Sequence, residues 1–412
     1  MRQTPRPRPS ARSATPVSPE QVAAFRLRRH RLIERAPAGS VVPVVGEMGG
    51  AQAQVLGAAR SSLWARVEAL EATDVDRALW EDRHLVRAWC MRRTLYLVPA
   101  ADVAVYVRGT ARRAEKEVRW VRNRGIPGRA IGDWIDGLLG ALDEPLTRSE
   151  IAERLGPALG VRIRWAVGGG GWGSRRKIPW LGSGRSSLPV AYLMHLAGAR
   201  GVLCSGPNRG SEATFVRADA WIPGWRDRSV DDAELELLRT YLRAFGPATP
   251  GDFVAWTRIL MFEARTTWER LGSELAEVEV DGRVAWVLRT DLRDLEREDA
   301  GELPVRLLPF FDSFLLGHLD RGHLLPPANV RDVYRNQGWV APVVLVEGRV
   351  AGVWSASPAG RRLGVDVDLF GPTSRRLEAA IRREAEDLAR FLGCGAAAVR
   401  IRSRRTRAPV SA

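Results

Sequence analysis

Apolar residues in this chain keep two periods, and the places where one gives way to the other divide it into units. From Val55 the positions Val55, Ala59, Leu63, Val67 and Leu70 recur three or four residues apart, which predicts an amphipathic helix. Gly49, Gly50, Gln52 and Gln54 run just ahead of it, so the two glutamines sit where a loop becomes a helix. Upstream, Ser18 and Gln21 have the spacing of a capping box, and Val22, Phe25, Leu27 and Leu32 give the following helix its apolar side. Another helix is expected near Asp74 to Trp80. From His84 to Pro99 β-prone residues take over on either side of Met91 and Arg92, which predicts a hairpin; Asp102 to Arg122 returns to a helix dense in arginine.

The plan then repeats. Thr147 and Glu150 cap a helix over Leu146 to Leu155, Leu188 to Gly198 gives a second, and Gly201 to Trp221 reads as strand, turn at Pro207 to Gly210, strand. From Asp231 come a helix, a Gly-Pro turn, a helix capped near Thr249, and a hairpin turning at Asp281 and Gly282. Three cycles of about ninety residues, each helical and then two-stranded, are the pattern of tandem winged-helix units. Beyond Leu303 the texture is short β-prone segments with glycine turns, one at Glu347 and Gly348. A helix over Arg375 to Leu392 follows, with Leu377, Ile381, Ala385, Leu388 and Leu392 on one face. The expected fold class is α+β. It has a disordered basic tail at 1–17, winged-helix units at 18–125, 126–228 and 229–302, a β-rich, barrel-like domain at 303–398, and a basic tail at 399–412.

Charge sharpens this. Among 412 residues, 63 are Lys or Arg against 48 Asp or Glu, a formal charge of +15, and only Lys116 and Lys177 are lysines. The excess favours a polyanionic partner, double-stranded DNA foremost. The preference for arginine over lysine also follows from a G+C-rich genome and carries no weight. Cys90, Cys204 and Cys394 are odd in number and too far apart for a zinc pattern, and they read as buried thiols of a reducing cytoplasm. No run has the apolar length of a membrane span, so a cytoplasmic, nucleoid-associated protein is expected. Three dissimilar units in one chain suit a monomer wrapping one site better than a symmetric dimer.

The chemistry candidates are few. The chain has no GxxxxGK, CxxC or HExxH, and neither cofactor nor metal is expected. The glycine-rich run Val167 to Ser187 lacks the strand-before-helix order of a dinucleotide site and reads as a loop. Its Arg175, Arg176 and Lys177, beside Trp172 and Trp180, are a candidate DNA contact, since cations take phosphate and indoles stack on bases. Arg92 and Arg93 at the first hairpin turn are another. His318, Asp320 and His323, with Asp312 upstream, carry ligand-type side chains but suit a hydrogen-bonded corner better than a metal. Gln52 and Gln54 differ in kind: a primary amide donates and accepts without charge, which suits it to hold a water or a sugar oxygen.

These residues also carry a resemblance. Gly49 to Trp64, the hairpin RAWCMRRTLYLV, the third-cycle FGPATPGDFVAW, and LLPFFDSFLLGHLDR followed by VEGRVAGVW resemble the AlkZ/YcaQ family of winged-helix DNA glycosylases, over nearly all of Ser18 to Leu392. The resemblance implies three winged-helix units, a β-rich C-terminal domain, base excision repair of alkylation damage, and a catalytic Gln-x-Gln motif at Gln52 and Gln54. The Gln-x-Gln form is similar to the lineage that removes bulky N7-alkylated purines; relatives that unhook interstrand crosslinks carry Gln-x-Asp. Where the family typically reads RGTLHLV, this chain has Arg93 for the glycine and Tyr96 for the histidine, so its hairpin is expected to meet DNA differently. With two lysines in the chain, Schiff-base lyase chemistry is not expected, leaving a monofunctional enzyme. The alternative is a non-catalytic winged-helix transcriptional regulator, which needs basic helices and wings but no amide pair.

Overall fold

The computed structural model describes residues 14–123, 125–170, 174–183, 186–299 and 301–404. Helices begin where side chains cover the free N–H groups of a first turn. The Ser18 hydroxyl accepts from the Gln21 N–H at 3.1 Å and the Gln21 carbonyl accepts from the Ser18 N–H at 2.9 Å, which starts the helix Pro19–Arg29. Thr147 with Glu150 starts Arg148–Ala158, and Thr249 with Asp252 starts Pro250–Thr257, by the same reciprocal bonds.

Three small sheets follow the three cycles. In the first, Ala51–Gln52 pairs with Leu95–Pro99, which pairs with Leu85–Trp89. In the second, Leu146–Thr147 pairs with Glu212–Arg217, and that strand with Leu203–Arg209. In the third, Thr15–Pro16 lies parallel to Leu275–Val280, whose hairpin partner is Arg283–Leu288. The architecture is mixed α/β.

Several expectations are corrected. The C-terminal domain is not barrel-like: its five strands form an open sheet in the order Arg306–Leu308, Val343–Val346, Arg349–Ala359, Arg362–Leu369, Ala396–Ser403. The last strand arrives through the helix Arg375–Phe391 as a parallel neighbour and extends the edge instead of returning to the first strand. Ile381, Ala385 and Leu388 of that helix are buried, whereas Leu392, expected on the same face, is 47% exposed. Parts of both expected tails belong to sheets. Thr15 and Pro16 complete the third sheet, and residues 399–403 belong to the last strand, because unpaired sheet edges offer them backbone partners.

The glycine-rich run is a sheet rather than a loop, with Ile163–Gly170, Ser174–Ser183 and Ser186–Pro189 antiparallel. Leu181 and Leu188 anchor it to the core of the second unit, while Trp165 and Val167 stay 44% and 70% exposed. The helix expected over Asp102 to Arg122 breaks at Gly109, where a Cβ would stand 2.7 Å from the Leu237 side chain.

The packing sets the motif at a seam. Leu63, Trp64 and Val67 share one core with Leu307, Val343 and Trp354 of the C-terminal sheet and Phe391 of the helix that covers it. Met91, Tyr96 and Val98 of the first hairpin share another with Tyr241, Phe245 and Trp256 of the third unit. Among the described residues no helix is long and apolar enough to cross a membrane.

Three histidines line the seam. The His30 ring lies 4.8 Å from Phe245 and 5.3 Å from Phe314, and His318 lies 4.7 Å from His323. Burial pushes His30 and His323 down to about 3, and His318 well below its usual value. The unfolded chain therefore binds more protons between roughly pH 3 and 6.5, and stability falls as pH drops through that window. At pH 5 His30 and His323 each lower stability by about 2 kcal/mol relative to neutrality, and His318 acts in the same direction. Thermal unfolding between pH 7 and 4 is expected to show a steep loss that His30→Phe makes shallower; an unchanged slope would contradict a neutral buried His30.

Candidate active site

The motif begins with a backbone constraint. Gly50 has φ +87°, and a Cβ there would press to 3.2 Å of the Leu97 carbonyl oxygen. That close approach puts Ala51 opposite Leu97 and Gln52 opposite Tyr96 in the first sheet. The strand ends at once, the Ala53 N–H donates to the Leu95 carbonyl at 2.7 Å, and the helix Leu56–Trp64 starts beyond Val55. The two glutamines are thus held at different depths. Gln52 is 6% exposed, and its Oε1 is buried with no protein donor. Gln54 is exposed, and its Oε1 accepts a long 3.4 Å bond from the Leu95 N–H.

Two cationic clamps fix this geometry. The buried Arg87, from the far strand of that sheet, donates to the carbonyls of Ala53 at 3.0 Å and Gln54 at 3.3 Å. Burial, then the nearby charge of Arg60, pushes its guanidinium down to about 10, still protonated at neutral pH. The second clamp is Arg66 with Asp312, both side chains fully buried, joined by bonds of 2.8 and 2.7 Å. Ser62 donates to the same carboxylate at 2.7 Å, and the Phe314 N–H does so at 3.0 Å. Burial alone would raise the Asp312 carboxyl, but Arg66 and these donors outweigh it and hold the group ionised, below the usual carboxylate range. The next residue, Ser313, donates to the Gly50 carbonyl at 2.8 Å and takes a 3.4 Å bond from the Gln52 N–H. The C-terminal domain therefore backs the motif directly.

The remaining candidates separate. Arg92 and Arg93 both have positive φ, 57° and 62°, in the turn between the hairpin strands. Arg92 does not project freely: it is half-buried and donates to the Ala255 carbonyl of the third unit at 3.3 Å. Arg93 is exposed and lies 3.5 Å from the Tyr192 hydroxyl. Lys177 is exposed on the separate sheet of the second unit, opposite Val167; the side chains of Arg175 and Arg176, and all of Trp172, lie outside the described residues. The expected corner comes together only in part: His318 lies 4.7 Å from His323 and bonds the Phe245 carbonyl, Asp320 pairs with Arg283, and Asp312 turns away to Arg66. Among the described residues no group of three or more His, Cys, Asp or Glu is arranged to hold a metal.

Sequence reasoning missed Arg87 and the role of Arg66. A lone charge inside the β-prone run LVRAW was the available sign of Arg87; nothing local announces a partnership across 246 residues. Tyr96, standing where the family has histidine, is fully buried across from Gln52, and burial raises its phenol to about 12.

One recessed and one exposed amide stand beside a basic hairpin, on a scaffold of helix-and-hairpin units. The family model described as DNA glycosylase AlkZ-like matches residues 45–391. The chain is 32% identical over 401 residues to the interstrand DNA cross-link repair glycosylase of Streptomyces sahachiroi, covering 92% of this chain and 98% of that one. The solved structure of Streptomyces sahachiroi DNA glycosylase AlkZ is similar with a TM-score of 0.77 at 30% identity, covering 94% of this chain and 100% of the other. The chain belongs to the AlkZ-like DNA glycosylase family, whose members cleave the N-glycosidic bond of DNA.

Asp312→Asn leaves Arg66 buried without its counter-charge, an expected loss of about 3–5 kcal/mol. The exposed Gln54→Ala should shift stability by less than about 0.5 kcal/mol. Urea unfolding of both variants checks the contrast, and equal losses would refute it.

Proposed function

We propose that this glycosylase removes bulky N7-alkylated purines from double-stranded DNA, with Gln52 and Gln54 as the catalytic amides. The observation that carries the reading is the Gln52 carbonyl, buried without a protein donor next to an exposed Gln54. Orphaned buried acceptors are rare in native proteins and mark groups kept for something other than stability. The terminal torsion of glutamine is broad, so the Gln52 amide is able to turn its carbonyl outward at little cost.

The chemistry asks little of the enzyme. Alkylation at N7 makes the purine cationic, so the C1′–N9 electron pair leaves with the base and neutralises it. Positive charge then develops on the sugar, water adds at C1′, and one proton is released. The Gln54 carbonyl, oriented by the Leu95 N–H, accepts from the attacking water, and the Gln52 carbonyl faces the developing charge. The purine already bears its own charge, so no strong acid is required. Lysine chemistry plays no part, in keeping with a monofunctional hydrolase.

The same reading extends to purines tied into interstrand crosslinks, supported by the name of the Streptomyces sahachiroi relative. It also takes the three helix-and-hairpin units as winged helices, supported by their capped helices and small three-stranded sheets. The protein would work as a monomer on nucleoid DNA in the cytoplasm. Single-turnover assays on a duplex with one N7-alkylguanine should yield free base and an alkali-labile abasic site. Gln52→Ala and Gln54→Ala should each slow release by about a hundredfold or more, with duplex binding within about threefold of the parent. Undiminished release by the double variant would sink the assignment. A crosslinked duplex, run on a denaturing gel, should return to single-strand size only with the parent protein.

A further inference from the structure

Exposed apolar side chains are ordinary singly and informative in runs. Among the described residues Val284, Leu319 and Leu392 stand singly, and Trp165 alternates with Val167 along a strand. Leu260, Met261 and Phe262 are consecutive, and they are 40%, 40% and 63% exposed. The run opens the helix Met261–Leu271 of the third unit.

Backbone geometry turns it outward. Arg258 ends the helix Pro250–Thr257 in a left-handed conformation, φ 68°, with its N–H on the Val254 carbonyl at 2.8 Å. The chain changes direction there, and Ile259 goes into the core that holds Met91, Trp256 and Ala264. The Leu260 N–H then donates to the Glu263 carboxylate at 2.8 Å, which fixes the start of the next helix. That helix buries Ala264, Thr267, Trp268 and Leu271. Its inward face is filled by them, and the three apolar side chains at its entry stay in solvent.

The run also stands near the hairpin of the candidate active site. Arg92 of that hairpin donates to the Ala255 carbonyl at 3.3 Å, five residues before Leu260. Leu95, three residues beyond Arg92, gives its N–H to the Gln54 Oε1. Arg258 and Arg265, both exposed, bracket the run in sequence.

An apolar tip between two cations matches a partner that carries anions outside and flat apolar faces within. Duplex DNA is built that way, and the family acts on DNA. We propose that Leu260, Met261 and Phe262 form a wedge that enters the duplex and parts a base step, while Arg258 and Arg265 take phosphates on either side. Water leaves the three side chains as they enter, and a step distorted by a bulky adduct resists least. The wedge touches no reacting atom; its residues are positioning residues. That the parted step adjoins the one met by Gln52 and Gln54 rests on the proposed role of the glutamines, whereas the parting of the stack does not.

The test uses a duplex with 2-aminopurine, whose fluorescence stacking quenches, placed next to one 7-alkyl-7-deazaguanine. Carbon at position 7 keeps the bulk and removes the charged leaving group, so no base is released and the result is independent of the glutamines. Saturation with the full chain should raise the fluorescence about threefold or more. The double variant Met261→Ser, Phe262→Ser should abolish the rise, with affinity by anisotropy within about threefold of the parent because the phosphate contacts remain. Phe262→Leu should keep the rise. Arg258→Gln should flatten the log–log salt slope of binding by about one and leave the rise at saturation. No rise with the parent chain would overturn the wedge, as would a rise that survives the double variant. A parent that sediments as a dimer, dissolved by the double variant, would give the run to a second copy and overturn it too. Thermal unfolding within a few degrees of the parent keeps these readings free of misfolding, and Phe262→Ala supplies a second variant if the double one unfolds.

Discussion

The Arg66–Asp312 pair is the contact on which the arrangement of the site depends. Two charges taken wholly out of water are tolerated only where each finds enough partners, and here the carboxylate meets Arg66, Ser62 and the Phe314 N–H at once. That requirement fixes the end of the motif helix against one spot on the C-terminal domain. Ser313 follows from it, and through Ser313 the backbone of Gly50 and Gln52. Exposed pairs such as Arg31 with Glu47 have no comparable authority, since solvent screens them and many geometries satisfy them.

What could be read from the sequence was local. Ser18 with Gln21, Thr147 with Glu150 and Thr249 with Asp252 announce helix starts within four residues, and the turns at Asp281–Gly282 and Glu347–Gly348 announce hairpins in the same way. The Gln52–Gln54 pair was legible as a loop giving way to a helix. Their unequal depth was not, because it depends on a single strand residue, Gln52, pairing with Tyr96 far along the chain.

The failures share a cause. Closure of the C-terminal strands could not be judged from alternating residues, since an open sheet covered by a helix and a barrel place the same apolar side chains inward. The glycine-rich run looked like a loop because its glycines carry no alternating side chains, and only the pairing of Val167 with Lys177 and its neighbours reveals the strands.

The surroundings of the amides have a consequence for how the enzyme meets acid. Tyr96 titrates at about 12 and Arg87 at about 10, and Asp312 stays ionised well into the acid range. Carboxamides do not titrate at all. These groups around the two amides thus supply no proton switch across the range in which cells live. Acid acts instead on the buried histidines His30, His318 and His323, and His30 sits within reach of the Arg66 and Asp312 charges, so protonation there strains the packing that backs the amides.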